Sequence, residues 1–104
     1  MQLEKWLEEH DIEKIIMDDL NIYLNNYKQE DEEAYIEFFK GKNTEKLKYV
    51  FHSVSYVINR WHMENDYKYI SAKLRLEYEG KAFAEYESIY DLNGEDIDDY
   101  LRLI

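Results

Sequence analysis

Apolar and polar positions alternate most regularly between Tyr67 and Asp91. Ile70, Ala72, Leu74 and Leu76 are interleaved with Tyr69, Ser71, Lys73, Arg75 and Glu77. A period of two marks a strand with one buried face. A second run sets Ala82, Ala84, Tyr86, Ser88 and Tyr90 against Phe83, Glu85, Glu87 and Ile89, which predicts a hairpin turning near Glu79-Gly80. A two-residue turn would place Leu74 opposite Glu85, and a one-residue slip sends every side chain to the other face. The pattern therefore favours a three-residue loop, Tyr78-Glu79-Gly80, that pairs Leu76 with Ala82, Leu74 with Ala84 and Lys73 with Glu85. In that register Tyr67, Tyr69, Phe83 and Ile89 share the outer face, and the small Ala72, Ala82 and Ala84 leave room for a helix on the inner one.

The remaining periodicity is helical. Leu3, Trp6, Leu7 and His10 share one face, and Ile12, Ile15, Ile16, Leu20, Tyr23, Leu24 and Tyr27 continue at helical spacing, as one helix or as two bent at His10-Asp11. Residues 30–42 carry signals at both ends: Asp31 as cap, Glu32 and Glu33 in the first turn, and Lys40 and Lys42 around Gly41 at the exit. Ala34, Tyr35, Phe38 and Phe39 would face inward. After a cap at Asn43-Thr44, the residues Leu47, Val50, Phe51, Val54, Val57, Ile58 and Trp61 fit a helical template, whereas Tyr49, Phe51, Ser53, Ser55 and Val57 break alternation. The spacing predicts a central helix over residues 44–63. Ile97, Tyr100, Leu101 and Ile104 predict a short terminal helix capped by Asn93, with Asn93-Gly94 as the turn into a third strand the competing reading. The expected fold is α+β, a helical N-terminal half packed on an antiparallel hairpin and followed by a helix, in the order α-α-α-β-β-α.

Composition narrows the function. A chain of 104 residues without Pro/Gly/Ser linkers or repeats reads as one domain. It has no cysteine, which removes disulfides, thiolate metal sites and cysteine nucleophiles. No apolar run approaches the roughly 18–20 residues needed to span a bilayer, and no signal-peptide pattern opens the chain, so a cytoplasmic protein is expected. The net charge is −11, with 12 acids and 3 bases in residues 1–39 but 8 acids and 9 bases in residues 40–91. Such acidity disfavours direct contact with nucleic acid or anionic membrane.

Few residues point to catalysis. No nucleophile elbow or glycine-rich phosphate loop is present, and no cofactor is implied. His62 and Glu64 form H-x-E, which on a helix would diverge, and His52 sits at the flank of the apolar stripe. The leading expectation is a non-catalytic interaction module of the inhibitor, immunity or nucleic-acid-mimic type. It would present Asp18, Asp19, Glu32, Glu33 and Glu37 to a basic protein, next to an aromatic patch of Tyr67, Tyr69 and Phe83. A solvated helix face is the simpler account of Asp18-Asp19, and helix-end complementarity accounts for Glu32 and Glu33. Two alternatives stand beside it: a small-molecule or metal-dependent enzyme using a pocket near His52, His62 and Glu64, and a homodimer through the outer hairpin face.

Overall fold

Helices precede a four-stranded antiparallel sheet in the computed structural model, which describes residues 1–60 and 67–104. The elements are α1 (Leu3–His10), α2 (Ile12–Glu30), α3 (Glu32–Phe38), a 3-10 turn (Thr44–Lys46), β1 (Lys48–Asn59), β2 (Tyr67–Tyr78), β3 (Lys81–Tyr90) and β4 (Asp96–Leu103). The strands lie in the order β1-β2-β3-β4, and the fold is mixed α+β. Two elements of the expected α-α-α-β-β-α order are overturned. The central helix is instead strand β1, and the C-terminal helix is instead strand β4. The last residues of the expected central helix, Trp61 to Met63, lie outside the described residues.

A bulge explains the first correction. The β1–β2 register shifts between Phe51 and Ser53, leaving His52 as the extra residue. Tyr49 and Phe51 pair with Leu76 and Leu74 before the shift, and Val54 and Tyr56 pair with Ala72 and Ile70 after it. The inward set thus moves from odd to even positions, which destroys simple alternation and imitates a helical three-four spacing. The cap signal at Asn43 is real, since its Oδ1 accepts from the Glu45 amide at 3.0 Å, but it caps a single 3-10 turn.

The hairpin is corrected in the same way. Glu79 (φ 52°) and Gly80 (φ 80°) are both left-handed, as in a two-residue turn, and Tyr78 pairs with Lys81. A bulge at Phe83 then restores the parity the turn would have spoiled: Glu77 pairs with Ala82, but Leu76 pairs with Ala84 and Leu74 with Tyr86. Even positions do face even positions, two residues away from the expected register. Arg75 thereby lies opposite Glu85, and Lys73 opposite Glu87. Phe83 is carried to the helical side, where its ring meets Phe38 and Phe39 at centroid distances of 6.3 and 6.2 Å.

The helices cover one sheet face. Ile12, Ile16 and Leu20 of α2 are buried with Ile70, Ala72, Leu74, Leu76, Ala84, Tyr86 and Tyr90. Each large aliphatic side chain so enclosed contributes roughly 1.5–3 kcal/mol. Residues 3–30 are two helices, and Asp11 separates them in the left-handed conformation (φ 49°, ψ 52°) without a side-chain cap bond. Asp31 does cap α3, its Oδ1 accepting from the Ala34 amide at 3.1 Å.

Helix α1 is tied to the loop between β3 and β4. The Trp6 indole donates to the Leu92 carbonyl at 2.9 Å, and its ring stacks on His10 at 4.3 Å. The His10 Nδ1–H donates to the Trp6 carbonyl at 2.8 Å. Asp91 shapes the loop, its Oδ1 accepting from the amides of Asn93 and Glu95 at 2.9 and 3.0 Å. Gly94 has φ +87°, and a Cβ there would lie 2.4 Å from His10 Cδ2, whereas a Cβ on Gly80 would meet nothing within 4 Å.

These two glycines separate backbone strain from crowding. Gly80→Ala is expected to cost about 1–2 kcal/mol from its left-handed backbone alone, and Gly94→Ala about 2–4 kcal/mol because His10 must also move. Urea unfolding of both variants measures the difference. Equal costs would show that the His10 contact carries no weight.

Candidate functional site

Two tyrosines of β3, one at its middle and one at its end, organise the polar chemistry of the helical side. Tyr86 and Tyr90 are fully buried, so each hydroxyl needs an acceptor. Tyr90 donates to Asp19 Oδ2 of α2 at 2.7 Å, and Tyr86 donates to Asp99 Oδ2 of β4 at 2.7 Å. Ser88, between them, reaches Asp19 Oδ2 at 3.5 Å. Burial first, and then the neighbouring carboxylates, push both phenols well above the usual tyrosine range. They stay protonated donors at any ordinary pH.

The β3–β4 pairing sets Asp96 beside Asp99. Tyr90 pairs with Asp96 and Ser88 with Asp99, both on the helical face, and a bulge at Ile97 sends Asp98 to the other face beside Ile89. Asp19, Ile22, Ser88, Asp96, Ile97, Asp98 and Asp99 line a recess of about 280 Å³ between α2 and the β4 edge. Ile22 and Ile97 are 59% and 43% exposed at its rim. Among the described residues no lysine, arginine or histidine forms an ion pair with Asp19, Asp96 or Asp99. Burial, then the charge of Asp19 and its hydrogen bond, and then the charge of Asp99 push the Asp96 carboxyl up to about 6. The recess is an acidic groove with apolar edges and, among the described residues, no cation lining it.

The expected acidic residues are divided by this geometry. Asp19 enters the recess, and Asp18 stands exposed on α2 beside it in sequence. Glu32, Glu33 and Glu37 are exposed on α3, where Glu37 lies 3.9 Å from Lys40. Helix α3 packs at Phe83 whereas Asp19 meets Tyr90, seven residues along β3 and roughly 23 Å away at the usual strand rise. Asp96, Asp98 and Asp99 escaped the sequence reading, because acids near the start of the expected terminal helix are already accounted for by the helix dipole and a solvated face. The signal was present as D-I-D-D between turn residues and an alternating Tyr100-Leu101-Arg102-Leu103.

The aromatic patch is also divided. Tyr67 and Tyr69 meet on the outer face with tilted rings 5.3 Å apart and line a shallow recess with Asn59, Glu87, Ile89, Ile97, Asp98 and Tyr100. Phe83 is on the opposite side of the sheet. The middle of the outer face is a charged network in which the buried Glu85 lies 4.0 Å from Lys73, 3.7 Å from Arg75 and 3.3 Å from Arg102. Glu87 accepts from the Ser71 hydroxyl at 2.5 Å and from Arg102 Nη2 at 2.6 Å. Burial alone would raise the Glu87 carboxyl, but these two partners outweigh it and hold it below the ordinary glutamate range.

His52 is exposed at the β1 bulge, its Nδ1 3.0 Å from Ser53 Oγ, while His62 and Glu64 lie outside the described residues. Among the described residues no three His, Asp or Glu side chains are grouped so as to hold a metal ion, and no helix is long and apolar enough to cross a membrane. The chain matches no family model, no curated protein and no solved structure.

The unbalanced carboxylates set a pH dependence. A carboxyl raised to about 6 in the folded chain binds its proton there more tightly than in the unfolded chain, so stability increases as pH falls from above 6 toward 4. Glu87 acts in the opposite sense, and its contribution is lost only below the usual glutamate pKa of about 4.3. Asp96→Asn is expected to raise the melting temperature at pH 7.5 by about 2–4 °C and to flatten the profile between pH 4.5 and 7, the partial exposure of Asp96 limiting the gain. Differential scanning calorimetry across that range measures it. An unchanged slope would remove Asp96 as the titrating group.

Proposed function

We propose that this protein is a non-catalytic interaction module that engages a basic protein partner through the acidic groove between α2 and β4. The observation that carries this reading is the group of Asp19, Asp96 and Asp99, in which Asp19 and Asp99 accept from buried tyrosines and Asp96 lies beside them, with no cation in an ion pair with any of the three among the described residues. A lysine or arginine entering from a partner would supply the missing charge and lower the proton affinity of Asp96. Its aliphatic stem would lie along Ile22 and Ile97, as long basic side chains do on apolar surface. Asp18 and the −9 carried by residues 1–39 extend the negative field around the groove. That field raises association rates and makes them fall with salt.

Asp19 and Asp99 hold buried tyrosines, so the exposed Asp18 and the rim residue Ile22 are the ones to alter. Affinity capture from lysate at low salt is expected to recover a basic protein that is released at high salt. The Asp18→Lys/Ile22→Lys double variant should retain it about tenfold less well at low salt while keeping the wild-type melting temperature. If low salt yields no basic protein, or the double variant captures the same protein equally well, this reading fails.

A further inference from the structure

The two edges of the sheet, β1 and β4, are built differently. β4, at one edge, carries Asp96, Asp98, Asp99 and Arg102 and a bulge at Ile97, which are the devices that keep an edge from pairing with another chain. β1, at the other, has no Asp, Glu, Lys or Arg from Tyr49 to Asn59, although such residues make up 36% of the chain. Its single interruption is the bulge at His52, after which Ser53 to Ile58 pair regularly with β2. No residue of β1 is fully buried, and Val50 and Ile58 are 40% and 42% exposed. Beside this stretch, Met1, Leu3, Tyr56 and Ile58 line an apolar recess of about 380 Å³.

We infer that the β1 edge pairs with the β1 edge of a second copy of this chain, antiparallel, to form one continuous eight-stranded sheet. Every second residue of an edge strand leaves its N–H and C=O without a strand partner, and another extended chain satisfies both. Charge chooses which chain. In a molecule of net charge −11, β1 is the edge at which two copies bring no formal charge into direct contact. Pairing about Tyr56 keeps the two faces in register: Val54 meets Ile58 of the second copy on the helical side, and Ser55 meets its Val57 on the other. The contact is self-complementary, as a two-fold interface requires, and it places both helical layers on the same side of the joined sheet. Glu8, Asp11 and Glu13 stand beside Phe51 on that side, so the two copies repel one another across the joint. Salt therefore strengthens this association, the opposite of its effect on a basic partner in the acidic groove.

Sedimentation of the full chain at concentrations up to the order of 100 micromolar, in roughly 0.05 M and roughly 0.5 M salt, tests the inference. The expected result is a monomer–dimer equilibrium that tightens at high salt. Ser55→Lys, at an exposed position outside the core, should weaken it by about tenfold or more, and Ile58→Lys should do the same. Leu103→Lys places the same charge on the β4 edge and should leave it unchanged. A monomer under both salt conditions overturns the inference, as does a dimer that survives Ser55→Lys. A dimer lost on Tyr100→Lys but not on Ser55→Lys assigns the contact to the outer sheet face and overturns it equally. None of these outcomes depends on the basic partner, whose capture is read from Asp18 and Ile22.

Discussion

Two buried phenols govern the arrangement around them. Tyr86 and Tyr90 are buried on the inner sheet face, and a ring that large can be enclosed only if its hydroxyl keeps a hydrogen bond. The acceptors are carboxylates from different elements, Asp19 on α2 and Asp99 on β4. Each bond therefore does two things: it satisfies a buried donor, and it fixes where a helix or an edge strand sits against β3. The acidic groove follows from this, because the donors hold carboxylates side by side without neutralising them. Charge brought close for the sake of the core remains available at its rim.

The outer face handles charge in the opposite way. Glu85 and Glu87 are enclosed by Lys73, Arg75, Arg102 and Ser71, so acids and bases there are spent on one another. The near-neutral segment of residues 40–91 supplies most of that network, while the acidic excess of residues 1–39 remains on the helices. Net negative charge thus lies on the helical side and the β4 edge, while β1 carries no formal charge from Tyr49 to Asn59.

Each strand pairing contains one irregularity, at His52, Phe83 and Ile97. These three residues account for most of the distance between the reading of the sequence and the fold. At Phe83 the bulge lets a two-residue turn coexist with the correct facing of Leu74 and Leu76, which alternation alone could reconcile only with a three-residue loop. At His52 it moves the inward positions from odd to even, so a strand takes on the spacing of a helix. At Ile97 it breaks the alternation of β4, leaving Ile97, Tyr100, Leu101 and Ile104 to imitate one helical face. A bulge is stabilised by the neighbouring strand, and a single strand's pattern carries no trace of that neighbour.

By itself, then, the sequence determined the features whose cause is local. These are the helical periodicity of α1 and α2, the capping of α3 by Asp31, the hairpin near Gly80 with even positions inward, and the concentration of acid in residues 1–39. Asp18 and Asp19 were legible as candidates because they stand on a helix whose inner face is unambiguous. Tertiary structure decided the rest: that residues 48–59 and 96–103 are strands, that Phe83 turns to the helices, and that Asp96 and Asp99 join Asp19. The physical reason is that an edge strand owes its conformation to hydrogen bonds with a partner distant in sequence. Convergence of carboxylates on one groove depends on that pairing register, and one inserted residue is enough to change it.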